Sequence, residues 1–512
     1  MSGKYLYKKT SLNVAFFCLL ICFGASHAMA SSTDRQTLLV EFLRLTDQQP
    51  QWLSFERLEK LESGLQSLED DGLNPSHYQF GRIQRLVQQR GSGANLDLSP
   101  AEDAVISGAY LEALADLKLG RTRHKNVENY LDFRQHQPDA LSAVVQLAIA
   151  YLDQPDKAFD QARPQMDGYR QLRLRYTDLR QRQSTEPVLP AIEPHRPSLR
   201  VGMTDPRVRL LRQHLSLPTP EQDADYFEDS LALAVAQYQS QHGLQADGIA
   251  GPQTLSRLNR TVQQDLDAIR INLERWRRVN LALTDHRVVV DIAGATLRYY
   301  QNGERVLDTR TQVGRRDRPT PLMLSEISHF TLNPTWTIPP TIYRNDKLPA
   351  IRRDPGYLQS NRLTVLDPQG NRLDPESIDW DNPGHILLRQ AAGPHNALGQ
   401  VAIRFPNRQS IYLHDTPNQQ LFDRSQRYFS SGCVRVEGAT YLVEQLLQAT
   451  GSPAADDLES LLSSGITRNV SIGIPVTIVL GYWTAEVNTQ GELQIHADPY
   501  GLDPILLAAL NN

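Results

Sequence analysis

Apolar residues recur at i, i+3, i+4 and i+7 through the first third of the chain, in "QTLLVEFLRL", "FERLEKLESGLQSL" and "AVISGAYLEALADLKLG". That spacing lines one face of an amphipathic helix, and Gly120 reads as the stop of the third. From about 34 to 190 no β alternation breaks the pattern and no cluster of catalytic residue types appears, so the region reads as a helical scaffold. The proline-flanked "TEPVLPAIEPHRPSLRVG" reads as a linker. Between about 196 and 259, "PRVRLLRQHLSL" and "DSLALAVAQYQSQHGL" predict two short helices, and turns at Asp247-Gly248 and Gly251-Pro252 lead into a third. One more helix, "VQQDLDAIRINLERWRRVN", occupies about 260–283.

There the period changes. "RVVVDIAGATLRYYQNGERVLDTRTQVG" alternates and is rich in β-branched and aromatic residues, and its Asn302-Gly303 pair is a hairpin signal. Further strands are predicted in "HFTLNPTWTIP", "HILLRQ", "VAIRFP", "SIYLHD" and "PVTIVLGYWTAEV", with a helix at "ATYLVEQLLQAT" and "GELQIHADPYGLDP" closing the domain. Polar, proline-rich sequence over 344–384 interrupts the strands, and an insertion of that length predicts a lid or binding element. The fold class is multidomain α+β. Its expected divisions are a leader (1–30), helical scaffold (31–194), small three-helix domain (195–260), connecting helix (261–285), mostly antiparallel β domain (286–450, with a capping insertion at 344–385) and C-terminal strands (451–512) completing the β domain or scaffold region.

Composition changes this picture in two places. A net charge of −5 argues against a nucleic-acid binder. Lys4, Lys8 and Lys9, an apolar run over 14–23 and small residues at 28–30 form an export signal too short for a membrane span. The chain is therefore expected in the periplasm, touching membrane only if the signal stays uncleaved. Two of the three cysteines, Cys18 and Cys22, fall in that signal, which leaves Cys433 alone in the mature chain with no intramolecular disulfide to form. A buried small apolar residue is the bland alternative for it.

Cys433 follows His414 in "YLHDTPNQQLFDRSQRYFSSGCVRV". A thiolate is the attacking form, and a free thiol is only a few per cent ionised at neutral pH, so it needs a base within reach. His414 ends a predicted strand, and Ser430-Ser431-Gly432-Cys433 makes a tight turn into the next. Gly432 would let a backbone N–H face a developing oxyanion. His385 and His395 sit near turns, and with one mature cysteine and no H-E-x-x-H a metal site is not expected. Neither S-x-x-K nor G-x-S-x-G is present, which argues against a serine peptidase.

These residues resemble the signature of L,D-transpeptidases with a YkuD-type catalytic domain: His414, a spacer, Ser430-Ser431-Gly432-Cys433 and Arg435, with Ser431 where many members carry His. "NPTWTIPP", "RRDPGYL", "NALGQV" and "YLHDTP" are similar to the large Gram-negative members with a helical scaffold and a cap. Tyr238-Gln239, Gly243-Leu244, Asp247-Gly248, Gly251, Thr254 and Leu255 resemble small peptidoglycan-binding domains, though most are turn and core residues that speak for fold more than for binding. The resemblance implies Cys433 as nucleophile, His414 as general base and acid, and an oxyanion held by Gly432 and Cys433 amides with the Tyr412 hydroxyl. It implies Tyr412, Ser431, Arg435 and Trp336 as substrate-contacting residues. A surface ion pair and a core aromatic are the structural alternatives for Arg435 and Trp336.

It further implies peptidoglycan partners: a tetrapeptide donor losing D-alanine and a diaminopimelate amine acceptor, joined in a 3→3 crosslink without cofactor. Acylation by carbapenems and association with other wall-synthesis enzymes belong to the same expectation. A non-catalytic wall-binding protein and an L,D-carboxypeptidase are the alternatives.

Overall fold

The structure, a computed structural model, describes residues 32–91, 98–122, 139–183, 189–195, 197–279, 284–354 and 356–511. The leader with Cys18 and Cys22 lies outside them. Two compact units divide the chain: Met1–Leu281 with Trp483–Asn512, and Ala282–Tyr482. Among the described residues no helix is long and apolar enough to cross a membrane, and no group of His, Cys, Asp or Glu could hold a metal ion.

In the first unit the helical periodicity becomes α1 (Ser32–Leu45), α2 (Phe55–Ser67), α3 (Phe80–Gly91), α4 (Pro100–Leu119), α5 (Ala140–Ala150), α6 (Pro155–Ala162) and α7 (Asp167–Arg182). α4 opens with a Ser99/Glu102 capping box and Pro100 in its first turn, and ends at Gly120, whose φ of 87° explains the stop. Trp52, Tyr78, Tyr110 and Phe159 fill the core. Helix α2 packs close because Gly64 has no side chain: a Cβ there would come within 2.3 Å of Phe159. The small domain is α8 (Arg207–His214), α9 (Asp229–Gln241) and α10 (Pro252–Leu258). Its buried Gln239 donates to Asp247, to the Ile249 carbonyl and to Thr254, and accepts from the Gly248 amide. One side chain thus pins the turn that the sequence marks.

The expected connecting helix, α11 (Val262–Val279), is no spacer. Ile269 and Leu273 pack against Tyr169 and Leu172 of α7, while Glu274, Arg277 and Arg278 on the same helix are buried too. The Glu274 carboxylate accepts from the Thr122 amide and hydroxyl and pairs with Arg277 and Arg278. Arg277 also donates to the carbonyl of Asp71, whose carboxylate holds Arg163, Arg173 and the Tyr169 hydroxyl.

In the second unit, β2 (Thr296–Gln301) and β3 (Glu304–Gly314) form the predicted hairpin, with φ of 52° and 81° at Asn302-Gly303 as a type I′ turn requires. They join β1 (Arg287–Asp291), β4 (Met323–Leu332), β8 (Val401–Arg404), β9 (Leu413–His414), β10 (Tyr428–Ser430), β11 (Val434–Val436) and β12 (Arg468–Gly481) in the order β10-β3-β11-β9-β8-β4-β12-β1-β2. β3 pairs with β2 over its first half and with β11 near its end, so the sheet closes on itself. Most pairings are antiparallel; β1–β12, β3–β10 and β9–β11 are parallel. α12 (Ala439–Ala449) packs on β8 and β12.

The C-terminal strands expected to complete the catalytic or scaffold region divide between the two units. β12 lies in the large sheet, between β4 and β1. The segment after Gly481 does not join that sheet. β13 (Ala485–Val487) and β14 (Leu493–Ile495) pair only with each other, and with α13 (Asp503–Asn511) they belong to the first unit. The reason is apolar: Ala485 and Leu493 bury against α7 and α11, and Trp483 stacks on Trp276 at 4.4 Å. The insertion is a subdomain broader than expected. β5 (Trp336–Thr337), β6 (Leu363–Leu366) and β7 (Leu387–Gln390) form its own sheet over a core of Ile338, Ile351, Leu358, Leu363, Val365 and Leu388.

Candidate active site

The parallel pairing of β9 with β11 assembles the site. Leu413 registers with Val434 and His414 with Arg435, so Cys433 falls beside Tyr412. Residues two apart on a strand share a face, and registered partners share it too. Tyr412, His414, Cys433 and Arg435 therefore project together, while Leu413, Val434 and Val436 are fully buried on the other side. On β8, Ala402 registers with His414 and Ile403 with Leu413, which sets Arg404 opposite Tyr412 on the same face. Its guanidinium lies 4.0 Å from the centre of the Tyr412 ring.

His414 is buried, and its Nδ1 meets the carbonyl of Asp415 at 2.5 Å. A carbonyl only accepts, so Nδ1 carries the proton and Nε2 keeps its lone pair. Asp415 is itself anchored: its amide donates to Val401 O, and its carboxylate accepts from the Gln400 amide and Gln419. Gly399, at φ 60°, makes room, since a Cβ there would meet that carboxylate at 2.2 Å. This accounts for "NALGQV" and adds Asp415, a residue the sequence reading passed over. Its only visible signal was adjacency to His414.

Burial, then Arg435, hold His414 down at about 3 against the bond to Asp415, with Arg404 adding to the effect. The imidazole is neutral at neutral pH. Cys433 is partly accessible, its thiol directed at the Ser410 carbonyl at 3.9 Å. Burial pushes that thiol up, opposed by the Tyr412 amide, Arg404, the Tyr412 hydroxyl and Arg435. Burial thus disfavours both the imidazolium and the thiolate.

The other expected residues divide. Gly432 needs its glycine, with φ 117°, but its amide donates to Ser430 Oγ at 3.1 Å, and Ser430 in turn donates to Cys433 O. That N–H is committed within the turn. Ser431 Oγ accepts from Arg318. Arg435 is not a surface ion pair: it is half-buried, bonded to Gln312 of β3, with its Nε buried and unpartnered. Trp336 is half-buried and packs on the cap core with Lys347 over its ring.

Fold and residues define a class: a closed, mostly antiparallel β domain with one cysteine and one histidine on a shared face, carried on one chain with a helical scaffold and a small three-helix domain. Residues 285–476 match the YkuD L,D-transpeptidase catalytic domain, residues 37–175 a scaffold domain, and residues 204–258 the family described as "Putative peptidoglycan binding domain". Over residues 285–476 the chain is thus similar to YkuD L,D-transpeptidase catalytic domains. A Haemophilus influenzae protein named "Putative L,D-transpeptidase" is 39% identical over 228 residues, covering 44% of this chain and 46% of that relative, so the match spans about half its length. Among solved structures, an L,D-transpeptidase from Stackebrandtia nassauensis is 14% identical over 57% of this chain and 96% of its own, at a TM-score of 0.21. One from Mycobacterium smegmatis is 17% identical over 38% and 58%, at 0.18. Likenesses this slight do not bear on the geometry.

Proposed function

We propose that this protein is a periplasmic L,D-transpeptidase that forms 3→3 crosslinks in peptidoglycan. The observation that carries the reading is the shared face of β9 and β11, where Cys433 lies one strand from a neutral imidazole whose Nδ1 is tied to the Asp415 carbonyl. His414 Nε2 takes the thiol proton as sulfur attacks the carbonyl between the diaminopimelate L-centre and terminal D-alanine. Arg404 and Arg435 favour the thiolate as it forms. The Cys433 amide and the Tyr412 hydroxyl stabilise the tetrahedral oxyanion, the Gly432 amide being spent on Ser430. The C–N bond breaks, His414 returns the proton to the departing D-alanine amine, and a thioester remains on Cys433. The side-chain amine of a second diaminopimelate then attacks the thioester, the C–S bond breaks, and the thiol is restored. One peptide bond is exchanged for another, so no external energy source enters. Ser431, beside the thiol and bonded to Arg318, lines the donor site, and the small helical domain holds the enzyme near its polymer.

Incubating the protein with disaccharide-tetrapeptide and reading products by mass spectrometry tests this. The expected product is a crosslinked dimer that has lost one D-alanine. Tripeptide without dimer would make the enzyme a carboxypeptidase, and no turnover, with Cys433→Ala indistinguishable, would leave a wall-binding protein.

A further inference from the structure

Arg318, in the loop between β3 and β4, ties two parts of the second unit together. Its Nη1 and Nη2 donate to the two carboxylate oxygens of Asp346 at 2.5 and 2.8 Å. The same Nη1 reaches Ser431 Oγ at 3.2 Å, close in sequence to Cys433. Asp346 is delivered by a π-helical turn of the cap, Tyr343–Lys347, and such turns are rare and concentrate at functional sites. Arg315 stands behind it, with Nη2 4.0 Å from the Asp346 carboxylate. The pair is not sealed in a core: the two side chains are 17% and 36% exposed. A planar guanidinium gripping a carboxylate with both arms, open to solvent and next to the turn that bears the thiol, has the geometry of a carboxylate receptor. In this structure a side chain from the cap fills it.

We propose that Arg318 is the docking cation for a carboxylate of the donor peptide, and that Asp346 is the resident carboxylate exchanged for it. The inference rests on the transpeptidase reading above and names a recognition element within it. A tetrapeptide stem presents two carboxylates near the scissile bond, that of terminal D-alanine and that on the D-centre of diaminopimelate. Exchange conserves charge on Arg318, so entry of substrate does not strand a cation. Because Asp346 belongs to the cap, exchange also unfastens that point of the cap from the turn at 430–433.

Calorimetric binding of tetrapeptide to the full chain bearing Cys433→Ala measures docking without turnover. In that background Arg318→Ala is expected to weaken binding by about tenfold or more, with Arg318→Lys intermediate because it keeps charge but loses the fork. Asp346→Asn, which removes the competitor, is expected to tighten binding several-fold. The peptides with a D-alanine carboxamide, or with an amidated D-centre, assign the source: the amidation that abolishes the Arg318 dependence marks the docked carboxylate. Should Arg318→Ala fail to fold, the Lys and Asn variants decide. Equal affinity of all variants for acid and amide peptides, weaker binding by Asp346→Asn, or no binding at millimolar peptide would overturn the proposal. Turnover by the wild-type protein is followed separately. D-alanine release together with Arg318-independent binding would leave the transpeptidase reading standing and remove this one.

Discussion

Around Asp71 and Glu274 in the first unit, buried and half-buried arginines meet carboxylates; around His414 and Cys433 in the second, half-buried arginines do not. Arg163 and Arg173 pair with Asp71, and Arg277 and Arg278 with Glu274. Among the described residues neither Arg404 nor Arg435 has a carboxylate partner; one lies over Tyr412 and the other bonds neutral Gln312. Burying a charge is costly unless it is paired and hydrogen-bonded. The first cluster meets that requirement fully and so locks helices together. The second leaves positive charge without a carboxylate beside a thiol, where, on the function proposed above, the thiolate would balance it. Similar residue types thus serve cohesion in one place and, on that reading, readiness in the other.

The largest contrast comes from removing each cluster's centre. Cys433→Ala is expected to abolish covalent capture of a carbapenem, seen as an unshifted intact mass, while leaving thermal stability unchanged. His414→Gln is expected to keep the thiol but slow acylation by about 10²–10⁴-fold, the usual worth of a general base. Glu274→Ala should do the reverse. It strands Arg277 and Arg278 in the interior, a loss of about 3–5 kcal/mol, read as faster hydrogen exchange across α4 and α11. A Glu274→Ala protein with unchanged exchange would mean that the network contributes nothing to cohesion.

Acid separates the clusters next. Burial alone would raise Glu274, but Arg278 and Arg277, with the Thr122 amide and hydroxyl, outweigh it and hold the carboxyl at about 2, below its ordinary 4.5. A depressed carboxyl contributes stability that is fully present above the unfolded value and lost as pH falls through the folded one. Exchange protection of α11 is therefore expected to persist down to about pH 4.5 and to fail between there and about 2. Loss of protection at pH 6 would contradict the pairing.

How far the sequence announced these clusters follows from range. Helical and alternating periodicities, the Asn302-Gly303 hairpin and the Gly120 stop are local, and each forms as its residues predict. The placement of β9 against β11 is not local. Parallel neighbours need no tight turn between them, so nothing in residues 415–429 announces which strands they join. The commitment of the Gly432 amide to Ser430 depends on a hydroxyl rotamer, and the anchoring of His414 on a carbonyl, which every residue has. Trp336 reads equally well as ligand contact or core, and its packing on the cap's own hydrophobic cluster depends on residues far from it in sequence. The split after Gly481 was hidden because Ala485 and Leu493 could bury against any apolar surface; α7 and α11 happen to supply it.

The smallest effect is also the most specific to the uncompensated site. Burial raises the Cys433 thiol and Arg404 opposes it, so the thiolate fraction at neutral pH is small and depends on that cation. Iodoacetamide alkylation of Cys433 should therefore still be climbing at pH 9, with no plateau near neutrality. His414, held at about 3, adds no step of its own between pH 5 and 8. Arg404→Met keeps the hydrophobic stem over Tyr412 and removes only the charge. Its alkylation curve should move upward in pH, whereas Arg404→Lys should stay near wild type. A packing role alone would give the opposite ranking, with Met tolerated and the pH dependence unmoved. An equal curve for Met and wild type would therefore show that the positive charge beside the thiol is incidental.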